Sequence, residues 1–240
     1  MKNPNGPYPG RQIFLGITKD GRPSLAYLVT GRSPASRERK AAPKENSIIM
    51  GPIGTIAYDP LRHYTAVKYD NTCGLLAVSN GIQTESIYET YKLLYNVKSR
   101  PASGYLKKIM DGANYEHDSL QTPRIAGVIT NDGEQNKPVY ILSIKTAGKP
   151  AFTWQLMPKA GTLHGVATYY GNMESPGAFR AEKGPAELKI DAKTPQEIAE
   201  FIYEISAATY NGDDIRVCAI GGIRGEGNNW KLALINRHKG

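Results

Sequence analysis

Hydrophobic and polar positions alternate with period two at the head of the chain, and Gln12–Ile17 and Ser24–Val29 flank the turn-forming Lys19-Asp20-Gly21-Arg22-Pro23. That pattern predicts a β-hairpin. Further strands are expected over Ser47–Ala57, Tyr64–Tyr69 and the short apolar run Gly74–Ser79, which leads into Asn80-Gly81. The period then lengthens. Ile87, Tyr91, Leu94 and Tyr95 fall at i, i+4, i+7 and i+8, and Ser86 with Glu89 has the spacing of a capping box, so a helix is expected there. A second is expected over Ser103–Asp111, where Tyr105, Leu106, Ile109 and Met110 share a face. Strand patterns return at Arg124–Ile129, Pro138–Ile144, Ala151–Leu156 and Leu163–Tyr170, separated by turn chemistry that suits a meander. Thr194-Pro195-Gln196-Glu197 reads as a helix start with a cap, a proline in the first turn and a closing glutamate. Two strands, Arg216–Gly221 and Trp230–Ile235, close the chain around the glycine-rich Gly221–Gly227. That segment lacks the Lys-Ser/Thr of a phosphate loop and no helix follows it, so it is read as a hairpin turn.

Strands in runs, then helices, then strands again point to an α+β layered architecture rather than a doubly wound parallel sheet. No repeat, low-complexity tract or linker divides the 240 residues, so one domain spanning 1–240 is expected, with residues 1–10 as a flexible arm. No apolar run is long enough for a bilayer-spanning helix, and the N-terminus has no secretory pattern. The two cysteines, Cys73 and Cys218, form no CxxC pair, and the four histidines are scattered. The expectation is a cytoplasmic protein with no metal and no cofactor.

The net charge of +8 favours anionic partners without choosing among nucleic acid, lipid and phosphorylated small molecules. One basic concentration, Arg32, Arg37, Arg39, Lys40 and Lys44, reads either as a solvated loop or as part of a site.

Three segments carry more specific information. They are Gly31-Arg32-Ser33-Pro34-Ala35-Ser36-Arg37, Val78-Ser79-Asn80-Gly81-Ile82-Gln83-Thr84, and Asn114-Tyr115-Glu116-His117-Asp118-Ser119-Leu120-Gln121-Thr122-Pro123-Arg124-Ile125-Ala126. In order and approximate spacing they resemble the archaeal type of IMP cyclohydrolase, with its Arg-Ser-x-x-x-Arg loop, Val-Ser-Asn-Gly strand end and Asp-Tyr-Glu-x-Asp-x-Leu-x-Thr-Pro-Arg-Ile-Ala segment, except that Asn114 stands where the family has Asp. The resemblance runs from about Arg11 to Ala126 and again, weakly, over Asn228–Ile235, while the stretch from about 133 to 189 stays unplaced.

The resemblance implies a four-layer αββα sandwich like that of N-terminal nucleophile hydrolases, without self-processing. It implies closure of the purine ring of 5-formamidoimidazole-4-carboxamide ribonucleotide to IMP and water, the last step of de novo purine synthesis. Such a reaction requires a phosphate anchor, a hold that brings nitrogen to carbon, and groups that move protons. By the same resemblance Arg37, Tyr64 and Glu116 are the catalytic candidates, and Arg32, Ser33, Asn80, Gly81, Thr122 and Arg124 the substrate-binding ones. A purine ribonucleotide partner, no nucleic acid, no membrane and a homo-oligomer are expected. Two other readings stay open: a basic RNA- or nucleotide-binding module built on the 15 tyrosines, and an amidohydrolase acting on another purine-like amide. For single residues the plainer alternatives are a core or rim tyrosine at Tyr64, a solvated Glu116, and an Arg124 tied to Asp118.

Overall fold

The first hairpin forms as its alternation predicts, from β1 (Arg11–Ile17) and β2 (Pro23–Thr30), with Leu15 opposite Leu25. The computed structural model describes residues 2–54, 57–133 and 135–238. Along the chain there follow the short helix α1 (Pro34–Arg37), β3 (Arg39–Lys44), β4 (Ser47–Pro52), β5 (Tyr64–Asp70), β6 (Leu75–Ser79), and the helices α2 (Gln83–Asn96) and α3 (Ser103–Ala113). Then come β7 (Arg124–Asn131), β8 (Pro138–Lys145), β9 (Phe152–Leu156), β10 (Thr162–Ala167), β11 (Tyr169–Tyr170), β12 (Gly177–Ala178) and β13 (Ala186–Lys189). The chain finishes with α4 (Pro195–Glu204), β14 (Thr209–Tyr210), β15 (Asp213–Asp214), β16 (Arg216–Arg224) and β17 (Trp230–Asn236). The fold is α+β and mostly sheet.

Six strands form one antiparallel sheet in the order β13-β10-β1-β2-β16-β17, and seven form another in the order β3-β4-β5-β6-β7-β8-β9. Period-two alternation decides which side chains meet. Ile13, Leu15, Leu25, Tyr27 and Val29 of the first sheet share a buried core with Met50, Val67, Val78, Ile125 and Leu142 of the second. The sheets press closely at Gly127, where a Cβ would lie 2.9 Å from Leu15 Cδ1, so a larger residue would push the Leu15 side chain aside. The opposite phase meets helices. Leu75, Ala77, Ala126 and Val128 pack on Ile87, Tyr91, Leu106 and Met110 of α2 and α3, while Phe14, Leu28 and Ala219 pack on Ile198, Ala199 and Ile202 of α4. Burying each such aliphatic side chain contributes about 1.5–3 kcal/mol, and this is what fixes the register.

The α4 start matches its sequence signal. Thr194 Oγ1 accepts from Glu197 N at 3.2 Å, and Glu197 Oε2 accepts from Thr194 N at 3.3 Å. The strand expected to end at Gly221 runs on through Gly222, Ile223 and Arg224 of the expected turn; at Gly221 a Cβ would sit 1.9 Å from Pro195 O, so the glycine lets α4 approach the sheet. The hairpin turn itself is shorter, Gly225–Asn229.

Other boundaries differ from the pattern. Helix α2 begins at Gln83, not Ser86, with no side-chain cap; Ser79 Oγ and Thr84 Oγ1, 2.6 Å apart, tie its first turn directly to the end of β6. The expected strand Ser47–Ala57 ends at Pro52, and residues 55 and 56 of that expectation lie outside the described residues. The expected four-strand meander stops after three: β10 leaves for the other sheet and pairs with β1. The basic segment is not a solvated loop. It forms α1 and β3, and it buries Arg37 and Arg39.

Within the stretch expected as a flexible arm, Asn5 and Tyr8 make contacts with the body of the fold. Asn5 Nδ2 donates to Gln12 Oε1 at 2.8 Å and the Tyr8 ring stacks on Tyr169 at 5.5 Å. Among the described residues no helix is long and apolar enough to cross a membrane, and no group of three or more His, Cys, Asp or Glu is arranged to hold a metal ion.

Candidate active site

The segment between α3 and β7 is folded by its own polar side chains. Asp118 Oδ1 accepts from the backbone N–H of Thr122 (2.8 Å) and Leu120 (3.2 Å), Asp118 Oδ2 accepts from Thr122 Oγ1 (2.6 Å), and Glu116 N donates to Thr122 O (2.8 Å). Asn114 and Gln121 sit at φ 56° and 48°, in the left-handed region that non-glycine residues adopt at a cost. This knot turns the Glu116 side chain inward, where it is 4% exposed.

Two guanidinium groups receive it. Arg11, at the head of β1, and Arg124, at the head of β7, both donate to Glu116 Oε1, the latter at 2.8 Å. Burial works most strongly against the charge on Arg11, but the Glu116 carboxylate together with the phenols of Tyr64, Tyr169 and Tyr27 offsets it and raises the pKa; for Arg124 burial prevails and the pKa is lowered. Tyr64 is close by. Its hydroxyl lies 2.9 Å from that of Tyr27, and the electrostatic influence of its phenol reaches both arginines. Burial together with Tyr64 keeps Tyr27 protonated well past the usual tyrosine range.

Glu116 and Arg11 face a cleft of about 620 Å³. Its wall carries four arginines, Arg11, Arg32, Arg39 and Arg62, against three carboxylates, Asp59, Glu116 and Asp118. Such a wall suits an anionic ligand with a polar, hydrogen-bonding body. A larger groove, about 910 Å³, lies at the other end of β1 beside Lys19 and Asp191. Those two pair with each other while more than 60% exposed, and among the described residues that line that groove every charged one is exposed.

The structure gathers most of the residues that the sequence pointed to, in different capacities. Arg32 and Ser33 line the cleft with Glu116. Arg32 is held by the carbonyls of Met173 and Glu174 and lies over the rings of Tyr8 and Tyr210. Ser33 caps α1 by accepting from Ser36 N at 3.2 Å. Thr122, Asn80, Gly81 and Arg124 stand behind the wall. Asn80 Nδ2 donates to Pro123 O (2.9 Å) and its Oδ1 accepts from Ile125 N (2.8 Å), so its amide is consumed in joining β6 to β7. A Cβ on Gly81 would lie 2.2 Å from Arg124 Nη1, which makes glycine the residue that admits the guanidinium. Arg124 pairs with Glu116 and not with Asp118.

Neither Arg37 nor Tyr64 is among the residues that line the cleft, and the Arg37 fork turns away from it. Arg37 Nη2 donates to Asp213 Oδ2 and Nη1 to Arg32 O, each at 2.5 Å.

Four further residues were not among the site candidates, Arg11, Tyr27, Arg39 and Tyr169, although Arg39 belongs to the basic concentration noted in the sequence. Tyr169 shares a hydrogen bond with Thr122 Oγ1, and burial pushes its phenol up to about 12. A signal for three of them was present. In strand phase Arg11 precedes Ile13 and Leu15, Tyr27 lies between Leu25 and Val29, and Arg39 precedes Ala41, so each polar group falls on the face that packs between the sheets.

Comparison with known proteins bears on this geometry. The family model for IMP cyclohydrolase-like proteins matches residues 8–228, and so runs through the stretch from 133 to 189 that the motifs left unplaced. A protein of Thermococcus kodakarensis named IMP cyclohydrolase is 28% identical over 230 residues, 95% of this chain and 97% of that one. One of the same name from Methanocaldococcus jannaschii is 36% identical over 125 residues, which is 51% of this chain and 56% of its relative. A third, from Methanococcus maripaludis, is 28% identical over 200 residues, 82% of this chain and 88% of the relative. With a cleft built from the same motifs and a family match that spans nearly its whole length, the chain belongs to the IMP cyclohydrolase family.

Proposed function

We propose that this enzyme closes the second ring of 5-formamidoimidazole-4-carboxamide ribonucleotide to give IMP and water, the final step of de novo purine synthesis. The observation that carries the reading is a buried carboxylate, Glu116, held between two guanidinium groups in the wall of an arginine-rich cleft. In this reaction the carboxamide nitrogen attacks the formyl carbon and forms a C–N bond. The attacking nitrogen loses a proton and the formyl oxygen gains one; the former formamide nitrogen then gives up its own proton and forms the C=N bond as the C–O bond breaks and the hydroxyl, protonated a second time, leaves as water.

Glu116 is placed to accept the amide proton and to return a proton to the departing hydroxyl, with Arg11 and Arg124 fixing its direction. Tyr64 is assigned to the formyl oxygen. The Tyr27 and Tyr64 hydroxyls share a hydrogen bond at 2.9 Å, and in the arrangement in which Tyr27 donates, the Tyr64 O–H is free to donate to the charge that develops there. Arg32 and Ser33 line the binding wall, and Thr122, Asn80, Gly81 and Arg124 support it from behind. Arg37 is assigned to holding the Gly31–Arg32 backbone against Asp213, one step removed from substrate. The two packed sheets with helices on their outer faces support reading the architecture as the αββα sandwich of N-terminal nucleophile hydrolases. A cytoplasmic homo-oligomer belongs to the same proposal.

The test is turnover of the formylated ribonucleotide by purified protein beside a panel of other purine-like amides. Conversion of the ribonucleotide alone supports the cyclase. Hydrolysis of a different amide favours the amidohydrolase reading. For the nucleic-acid module nothing speaks in the site, since Tyr8, Tyr27, Tyr64, Tyr88, Tyr91, Tyr140 and Tyr169 are buried in packing and not displayed for stacking.

A further inference from the structure

We propose that Arg39 is the anchor for the substrate's phosphate, an inference that rests on the ribonucleotide reading above. The case is an accounting of guanidinium groups around the cleft. Arg11 and Arg124 share Glu116, Arg37 has Asp213, and Arg62 has Asp59 at 2.7 Å together with Ala35 O. Arg32 is engaged by two carbonyls and two aromatic rings.

Arg39 differs from all of them. It is 2% exposed, it lines the cleft, and among the described residues no carboxylate reaches it within ion-pair distance. Among the described residues its guanidinium makes one hydrogen bond, from Nη1 to Arg62 O at a long 3.4 Å, and its Nε is buried with no partner.

An arginine does not shed its proton, so a buried guanidinium without a counter-charge is costly in the free protein. Its neighbours offer no relief. The electrostatic influence of Arg39 extends to the Cys218 thiol, which burial keeps protonated, with its pKa pushed up to about 12. It extends also to His63, whose Nδ1 accepts from Asp59 N at 2.8 Å, while burial and then the charge of Arg62 push its pKa down, so it remains uncharged. The position is reproducible from the fold. On β3, Arg39 has the same phase as Ala41, which faces the core between the sheets, and it follows the α1 turn that forms the rim of the cleft. A phosphate monoester supplies what is missing: two negative charges and oxygens that match a planar fork in paired hydrogen bonds. Arg62, beside it and already paired with Asp59, serves as the rim of that seat.

The experiment measures binding of IMP, inosine and inorganic phosphate to the full-length protein and to Arg39→Met and Arg39→Lys, by calorimetry, with melting temperatures of the free proteins. Inosine carries the same base and ribose without the phosphate. In Arg39→Met the affinity for IMP is expected to fall about 10- to 150-fold, the range of a hydrogen bond to a charged group, while inosine binding is unchanged. Inorganic phosphate should compete with IMP in the wild type and lose that ability in the variant. Arg39→Lys should fall between them. The free Arg39→Met protein should melt at or above the wild-type temperature, because an uncompensated charge has been removed; a structural role predicts a fall. Equal losses for IMP and inosine, unchanged IMP affinity, or a lowered melting point would each overturn the assignment. Failure of the ribonucleotide reading looks different: the wild type neither turns over the substrate nor binds IMP. If inorganic phosphate binding is nonetheless lost in Arg39→Met, the anion seat stands without that function.

Discussion

Replacing Glu116 by glutamine removes one negative charge and leaves two buried guanidinium groups facing each other. In the native protein both converge on a single oxygen, Glu116 Oε1, and their side chains are only 10% and 8% exposed. Arg124 keeps a second acceptor, Asn80 O at 3.1 Å, whereas Arg11 already has a buried, unpartnered Nε, so most of the loss falls on Arg11. Breaking a buried ion pair from one side costs about 3–5 kcal/mol. For a chain of this size each kcal/mol corresponds to about 2–4 °C, so Glu116→Gln should melt about 6–20 °C below the wild type. Circular dichroism during heating measures this. A second variant separates charge from packing. Replacing the whole triad at once, Arg11→Met with Glu116→Leu and Arg124→Met, leaves no orphaned charge and should recover most of the loss. A Glu116→Gln protein melting within about 2 °C of wild type would refute the idea that the carboxylate holds these arginines together.

Further outcomes follow from single contacts. Tyr64→Phe keeps the ring but loses the hydroxyl, and turnover should fall about 10²-fold or more at a similar melting temperature, as steady-state kinetics would show. Gly221→Ala puts a methyl where Pro195 O lies 1.9 Å away, so α4 must shift; urea unfolding should report a loss of about 1–3 kcal/mol. Thr194→Ala removes the α4 cap and should cost about 1 kcal/mol by the same measurement. Burial opposes ionisation of Asp70, but hydrogen bonds from Lys92 and Thr72 override it and hold its carboxyl well below the usual carboxylate range. Its folded pKa lies under the unfolded one, so the stabilisation is present above about pH 4 and disappears as pH falls below it. The melting difference between wild type and Asp70→Asn should therefore be constant from neutral pH to about pH 5 and close on acidification.

What could be read from the chain beforehand depended on how local the cause was. The first hairpin and the Thr194–Glu197 cap are fixed by neighbouring residues, and both form as their patterns predict. The start of α2 is set by Ser79, at the end of a strand, bonding to Thr84, and so Ser86 was misleading. Likewise β10 carries an ordinary strand pattern, but nothing local reveals that it pairs with β1, some 150 residues earlier in the chain, and not with β9. At the site, the ordered motif around Glu116 was legible because one short segment holds Glu116, Asp118, Thr122 and Arg124. Arg11 and Arg39 were not, because their importance arises only when two sheets close over them. An inward-phased arginine at a strand end is the trace that such a closure leaves in sequence. Arg37 shows the converse: it sits in a motif shared with the family, yet a distant residue, Asp213, decides where its guanidinium points.

The most direct measurement of the central claim is ring closure itself, followed by the absorbance of the purine product as protein is added to 5-formamidoimidazole-4-carboxamide ribonucleotide in the presence of a metal chelator. The wild type should give stoichiometric IMP and folded Tyr64→Phe little. A folded wild-type protein that leaves the substrate unchanged, or a Tyr64→Phe variant that converts it at the wild-type rate, would contradict the claim.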